Sequence, residues 1–345
     1  MKKNSGKKYI RNLFLFVFLV WLTFRVLLRD QDLGEIYAIL RTVKLPFVFG
    51  GVLCMIGYFV CESINLRRTL RALGENVTLA QTLKYSLIGF FYSSITPAAT
   101  GGQPMQIYYM HRDGVKFAHS TLGLVINLWS FQTITISMAL ISLIFFYNYL
   151  DTGLIILFII GITLNASALT LLTIGVFSRR LSTGLVHIVI KIMEKFKIRN
   201  LEEKKESLMQ TLEKYNGSAK YIRENKSMVA KQFCFTLIQE VIYYSVPFFV
   251  YKAFGFSGEN YIKLVCLQSI VYATVSGIPS PGSVGVSEGA FVSIFRTIFN
   301  EKINAAMLLN RGISFYLFVF ICGIIVIVNT FKAKKEDKAN RGNEE

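Results

Sequence analysis

Acid, proline and histidine are all scarce in this sequence, and each shortage removes a class of protein. In 345 residues only 21 Asp+Glu stand against 38 Lys+Arg, and charged residues of either sign reach just 17%. That is too little polar surface for an ordinary cytosolic enzyme and too little charge for a disordered tail. The three histidines, His111, His119 and His187, have no carboxylates arranged around them, so no metal site is expected. The five cysteines, Cys54, Cys61, Cys234, Cys266 and Cys322, lie apart in apolar stretches with no CxxC, which argues against a disulfide scaffold and predicts buried thiols. No Walker loop, GxSxG elbow or HExxH run occurs, so no cofactor is expected, and no ATP-driven pump, serine hydrolase or zincin.

What is present is apolar: 53% of residues are hydrophobic and the mean hydropathy is +0.46. The composition is that of a membrane protein. Its net charge of +17 has to collect outside the spans, where it reads as loop bias toward the cytoplasm and anionic lipid rather than as a nucleic-acid footprint.

A membrane helix needs about 20 mostly apolar residues. Such runs occur at 13–28, 46–64, 122–147, 154–177, 233–254 and 305–330. The first follows Lys2, Lys3, Lys7, Lys8 and Arg11 but leads into Arg29-Asp30-Gln31-Asp32 instead of a small-residue cleavage site, so it reads as a signal anchor. Lysine and arginine cluster at the N-terminus, at Arg67, Arg68 and Arg71, through 179–231, and at Lys332, Lys334, Lys335 and Lys338. These places are expected in the cytoplasm, with both termini, in a multi-pass protein of the cell membrane.

Parity then requires 79–116 and 261–299 each to return to the face from which they start. Four of the six prolines, Pro97, Pro104, Pro279 and Pro281, fall in these two places, together with clustered glycines. Helices should break there, and a break in lipid is tolerable only where it faces protein or a water-filled cavity. The expected fold is all-α and polytopic, with about six spans and two re-entrant helical hairpins in an inverted repeat. Repeat 1 occupies 1–150, with its re-entrant segment near 79–116. Repeat 2 has its first span at 151–177 and the rest at 232–330, with a re-entrant segment near 261–299. Residues 178–231 form a cytoplasmic linker, with an amphipathic helix through Leu185, Ile188, Val189, Ile192, Met193 and Phe196; 331–345 form a cytoplasmic tail.

The stretches SITPAATGGQPMQIYYMHRDGV, from Ser94, and GIPSPGSVGVSEGAF, from Gly277, resemble the membrane region of the lysylphosphatidylglycerol synthases, the multiple peptide resistance factor family and its short flippase-like relatives. In the second stretch Ser283 follows Gly282, where the commoner form has paired glycines. In long members a soluble C-terminal aminoacyltransferase domain follows the membrane region and uses charged tRNA. Only 15 residues follow Thr330 here, so that domain is expected to be absent and no catalytic residue is assigned. The resemblance implies a flippase-like lipid translocase whose partners are membrane lipids, anionic or aminoacylated, with no nucleic acid. A phosphatidylglycerol lysyltransferase by family name and a non-catalytic accessory membrane protein stand as alternatives, and a homo-oligomer is left open.

Ionisable residues inside a bilayer are functional candidates by default. Glu240, beside Gln239 and one turn before Tyr243 and Tyr244, lies inside a span. Glu288 matches the acidic residue that the family resemblance implies after the proline-glycine motif. Arg311, with Asn310 and Ser314, is the basic candidate. Against these stand plainer roles: Glu240 pairing with a neighbouring helix, Glu288 capping a helical arm, and Arg311 snorkelling to the interface. At the breaks, half-helix starts accept anions, with Thr96, Thr100, Gly101, Gly102 and Gln103 on one side and Ser280, Pro281, Gly282 and Ser283 on the other. Their hydroxyls could equally serve freed carbonyls. Arg112 is either a phosphate ligand or a positive-inside anchor, while Arg25 and Glu62 read as anchors near span ends. Drive by the lipid gradient or by coupled ions is expected, with Glu240 and Glu288 as the proton-linked candidates.

Overall fold

A computed structural model describes residues 33–177, 224–278 and 281–342 as continuous stretches, with scattered positions between 183 and 220. Run 13–28, with Arg25, and both Pro279 and Ser280 lie outside the described residues, as do all six residues of the amphipathic pattern at 185–196. Among the described residues every regular element is helical.

Local chemistry explains where the helices start. After the short α1 (Leu33–Arg41), α2 (Leu45–Ala72) opens on Pro46, whose fixed φ and missing N–H suit a first turn. α3 (Leu79–Ser94) begins at a capping box: Gln81 N donates to Thr78 Oγ1 at 3.2 Å, and Thr78 N donates to Gln81 Oε1 at 2.8 Å. α4 (Gly102–Arg112) and α5 (Phe117–Phe146) follow, and Asp151 accepts from Leu154 N at 2.8 Å where α6 (Thr152–Phe177) starts. Asn225 caps α7 (Lys226–Tyr244), which leads into α8 (Val246–Ala253), and Asn260 caps α9 (Tyr261–Val275). α10 (Val286–Phe299), α11 (Ile303–Arg311) and α12 (Leu317–Gly342) complete the chain, with a π-helical turn at Gly312–Tyr316 between the last two.

Five stretches among the described residues are long and apolar enough to cross a membrane: Leu45–Ala72, Phe117–Tyr149, Thr152–Ile174, Lys226–Ala253 and Pro281–Thr330. Each overlaps one of the sequence-predicted runs. Large apolar side chains point outward on them, including Ile144, Phe145, Leu171 and Phe320, all about 70% exposed. Water would penalise such a surface, and hydrocarbon does not.

Three expectations need correction. The run at 46–64 does not end before its arginines; the helix continues to Ala72. Arg67 and Arg71 fold back to the Val77 carbonyl, at 3.4 and 3.1 Å, and Arg68 covers the Phe235 ring, so these charges are accommodated on the helix. The run at 233–254 is divided at Ser245, because Pro247 cannot donate to the preceding turn; Ser245 N instead bonds Ile242 O at 3.2 Å. The cysteines are not uniformly buried: Cys61 and Cys322 are, Cys54 and Cys266 are partly covered, and Cys234 is exposed. An apolar stretch is compatible with either a protein or a lipid neighbour, so hydropathy does not separate these cases.

The two proline-rich breaks each join a pair of short helices. α3 packs on α4 and α9 on α10, and the tight turns at the breaks, Pro97–Ala99 and Pro281–Ser283, touch each other. At 16, 11, 15 and 14 residues, these four helices are each shorter than a full crossing requires.

Candidate functional site: a polar cavity where two broken helices meet

At the first break, α3 loses its helical partners at Tyr92, and the chain repairs the loss locally. Thr96 Oγ1 donates to Tyr92 O at 2.6 Å and accepts from Gly101 N at 2.9 Å. Thr100 Oγ1 donates to Pro97 O at 2.9 Å. α4 then runs back so close to α3 that a Cβ on Gly102 would stand 2.0 Å from Ser93 Oγ and 2.8 Å from the Gly89 carbonyl, so the close approach requires glycine there.

At the second break the repair is ionic. Gly282 and Ser283 both have positive φ, 59° and 51°, turning the chain sharply, and Ser283 Oγ donates to Val275 O at 3.1 Å. Glu288, fully buried in the first turn of α10, accepts from four donors: Gly285 N at 2.8 Å, Ser287 Oγ at 2.9 Å, Arg311 Nε at 2.8 Å and Tyr316 OH at 2.9 Å. Arg311 is also buried and donates from Nη2 to Gly282 O at 3.1 Å, with its guanidinium 4.2 Å from the centre of the Phe315 ring. Glu288 thus caps its helix and pairs with arginine at once, and Arg311 is turned inward rather than toward an interface. The π-helical turn that follows Arg311 is a device often found where side chains must be aimed off the regular helical face.

Between the breaks lies a cavity of about 510 Å³. Of the residues singled out from sequence, Thr100, Gln103, Gly282, Ser283 and Arg311 line it, whereas Thr96, Gly101, Gly102 and Pro281 form the supporting turns behind. Thr100 is also exposed, so the cavity reaches the surface beside the first break. Glu288 lies behind Arg311. Arg112 sits at the far end of α4 and takes no part in the lining. Glu240 is fully buried outside the lining and accepts from Thr135 Oγ1 at 3.0 Å and Tyr244 OH at 2.9 Å; among the described residues it has no cationic partner.

Sequence reasoning missed the acid in the cavity wall. Glu62 is not near the end of its helix, as the run ending at 64 suggested, but ten residues inside it, facing the cavity with the side chains of Ser86 and Gln106 against it. Had the helix been extended through its arginines, the default for intramembrane ionisable residues would have identified Glu62. The amides were missed as well. Gln132, Gln268 and Asn310 line the cavity, and their buried side-chain oxygens have no partner within the described chain. Among the lining residues Glu62 is the sole acid and Arg311 the sole base.

Fold and cavity together define a multi-span α-helical membrane protein with a polar interior site. The chain matches the Lysylphosphatidylglycerol synthase TM region over residues 10–322, and it belongs to that family. It is also similar to a UPF0104 membrane protein of Archaeoglobus fulgidus, 19% identical over 312 residues that cover 86% of this chain and 91% of that protein.

Proposed function

We propose that the chain is a lipid translocase: the headgroup of a phospholipid or lipid-linked amphiphile passes through the polar cavity while its acyl chains stay in the bilayer. The cavity carries this reading, because three buried amide oxygens are left there without a partner. A buried acceptor left unpaired costs roughly 1–3 kcal/mol, a deficit that water or a ligand removes. At about 510 Å³ the space falls within the range of small-molecule sites, about 300–1,000 Å³, and suits a headgroup rather than a whole lipid. Arg311 in the wall is the natural partner for a phosphodiester oxygen. Membership of a family described by lipid synthesis favours a lipid over a water-soluble solute.

In this reading the two hairpins enter the bilayer from opposite faces, the halves are related by inverted topology, and both termini lie in the cytoplasm beneath the cell membrane. The substrate is an anionic or aminoacylated phospholipid. Leaflet exchange of labelled phosphatidylglycerol and its lysyl ester in proteoliposomes tests it, comparing the wild type with the double variant Gln268→Leu/Asn310→Leu. Both replacements remove an unpaired oxygen, so the fold is retained, while exchange should slow by about tenfold or more, equivalent to ~1.4 kcal/mol of lost stabilisation. Wild-type exchange no faster than in protein-free vesicles would refute the reading.

A further inference from the structure

Resting on the translocase reading, we infer that transport is coupled to protons, carried by Glu62 at the cavity and Glu240 behind it as a linked pair of carboxyls. Charge accounting leads there. Glu288, fully buried like Glu240, already has Arg311, and Arg311 is thereby balanced. That leaves two acids on adjacent helices, α2 and α7, with no cation paired to either among the described residues. The groups facing them are neutral: Tyr58, Ser86, Gln106 and Cys322 around Glu62, and Thr135, Tyr244 and Tyr272 around Glu240. An ion taken out of water without a partner costs several kcal/mol, so Glu240, fully buried, awaits a positive charge, and Glu62, half-buried on the cavity wall, is where that charge enters. A proton binds one carboxylate and needs no converging set of ligands, so it is the charge that each acid can take alone.

A cluster of tyrosine rings lies between the two acids. Tyr58 lies one turn before Glu62, and its ring is 5.3 Å from that of Tyr243; Tyr243 is 5.6 Å from Tyr272, which is 5.8 Å from Tyr244, the donor to Glu240. Tyr58 and Tyr272 are each within electrostatic reach of both carboxyls. A proton arriving from cavity water binds a Glu62 carboxylate oxygen. Tyr244 OH, hydrogen-bonded to Glu240, passes its own proton to that carboxylate and regains one from water in the cavity that Tyr58, Tyr243 and Tyr272 line. Release runs the same steps backward when the cavity faces the other side.

The full chain in proteoliposomes, with labelled lipid initially equal in both leaflets, tests the coupling under an imposed pH difference of about one unit. One proton per lipid sustains a leaflet ratio of about ten, reversed when the gradient is reversed. Glu62→Gln and Glu240→Gln should each stay at a ratio of about one, whereas Cys234→Ser, on the exposed surface, should match the wild type. Wild-type exchange that proceeds to equal leaflets, or follows a sodium gradient instead, overturns the coupling and leaves the translocase reading intact. A tenfold ratio retained by both glutamine variants overturns the assignment of residues. If the wild type exchanges no lipid, the translocase reading fails, and the acid pair is judged on the infrared spectrum of the purified chain. A protonated-carboxyl band at neutral pH that is lost in Glu240→Gln supports it, and absence of that band in the wild type rejects it.

Discussion

Between α3 and α4 the backbone groups freed by the break are taken up by neutral partners, whereas between α9 and α10 they are tied to an ion pair. Thr96 alone serves Tyr92 O and Gly101 N at the first break; at the second, Arg311 holds Gly282 O while Glu288 holds Gly285 N. The backbone problem is the same on both sides, but the cost of disturbing the repair is not. Neutral hydrogen bonds contribute about 1 kcal/mol net each, and bonds to charged groups about twice that. The first break, with Ala99 and Thr100 exposed at the cavity mouth, is therefore the cheaper of the two to rearrange, and the second is the fixed wall.

The contrast can be broken most severely at Arg311. Arg311→Met leaves Glu288 buried without its cation and should destabilise the protein by about 3–5 kcal/mol. Thermal unfolding in detergent would show this, and adding Glu288→Gln should restore part of the loss. If the double variant is as unstable as the single, the ion pair is not what holds the second break.

Glycine replacement sharpens the comparison at the next level. Gly282→Ala combines a positive φ with a Cβ only 2.2 Å from the Phe315 ring, and should cost about 1–3 kcal/mol. Gly102→Ala meets a Ser93 hydroxyl that can rotate away, leaving the tighter limit at the Gly89 carbonyl, so its cost should fall at the lower end of the same range. Equal losses in unfolding temperature would mean that the two breaks are held with the same rigidity. Thr96→Val removes the one hydroxyl that makes both neutral bonds and should cost about 2 kcal/mol by the same measurement, below the loss at Arg311. A loss as large as that of Arg311→Met would contradict the distinction between neutral and ionic repair.

Much of this architecture was legible in the sequence. The apolar runs located the five described spans, and Pro97, Pro104, Pro279 and Pro281 located both breaks, because the chemistry of an interrupted helix is local. Glu288 and Arg311 could be identified as candidates, but not as partners: 23 residues separate them, and it is the reversal at Asn300–Lys302, packing α11 back on α10, that brings them to 2.8 Å. Glu62 was lost for a different reason. Three nearby arginines imitate a span end, and only their contacts with Val77 and Phe235 show how the helix carries them.

Composition and hydropathy alone determined that the chain is an all-helical membrane protein and where its helices break, since these depend on lengths and on residues acting within a few positions of themselves. Which polar side chains share the interior was decided only by the tertiary structure. Lipid and protein core are both apolar, so a hydropathy pattern is nearly blind to the direction a side chain faces. The cavity acid, the unpartnered amides and the tyrosine cluster beside Glu240 exist only once helices distant in sequence are packed together.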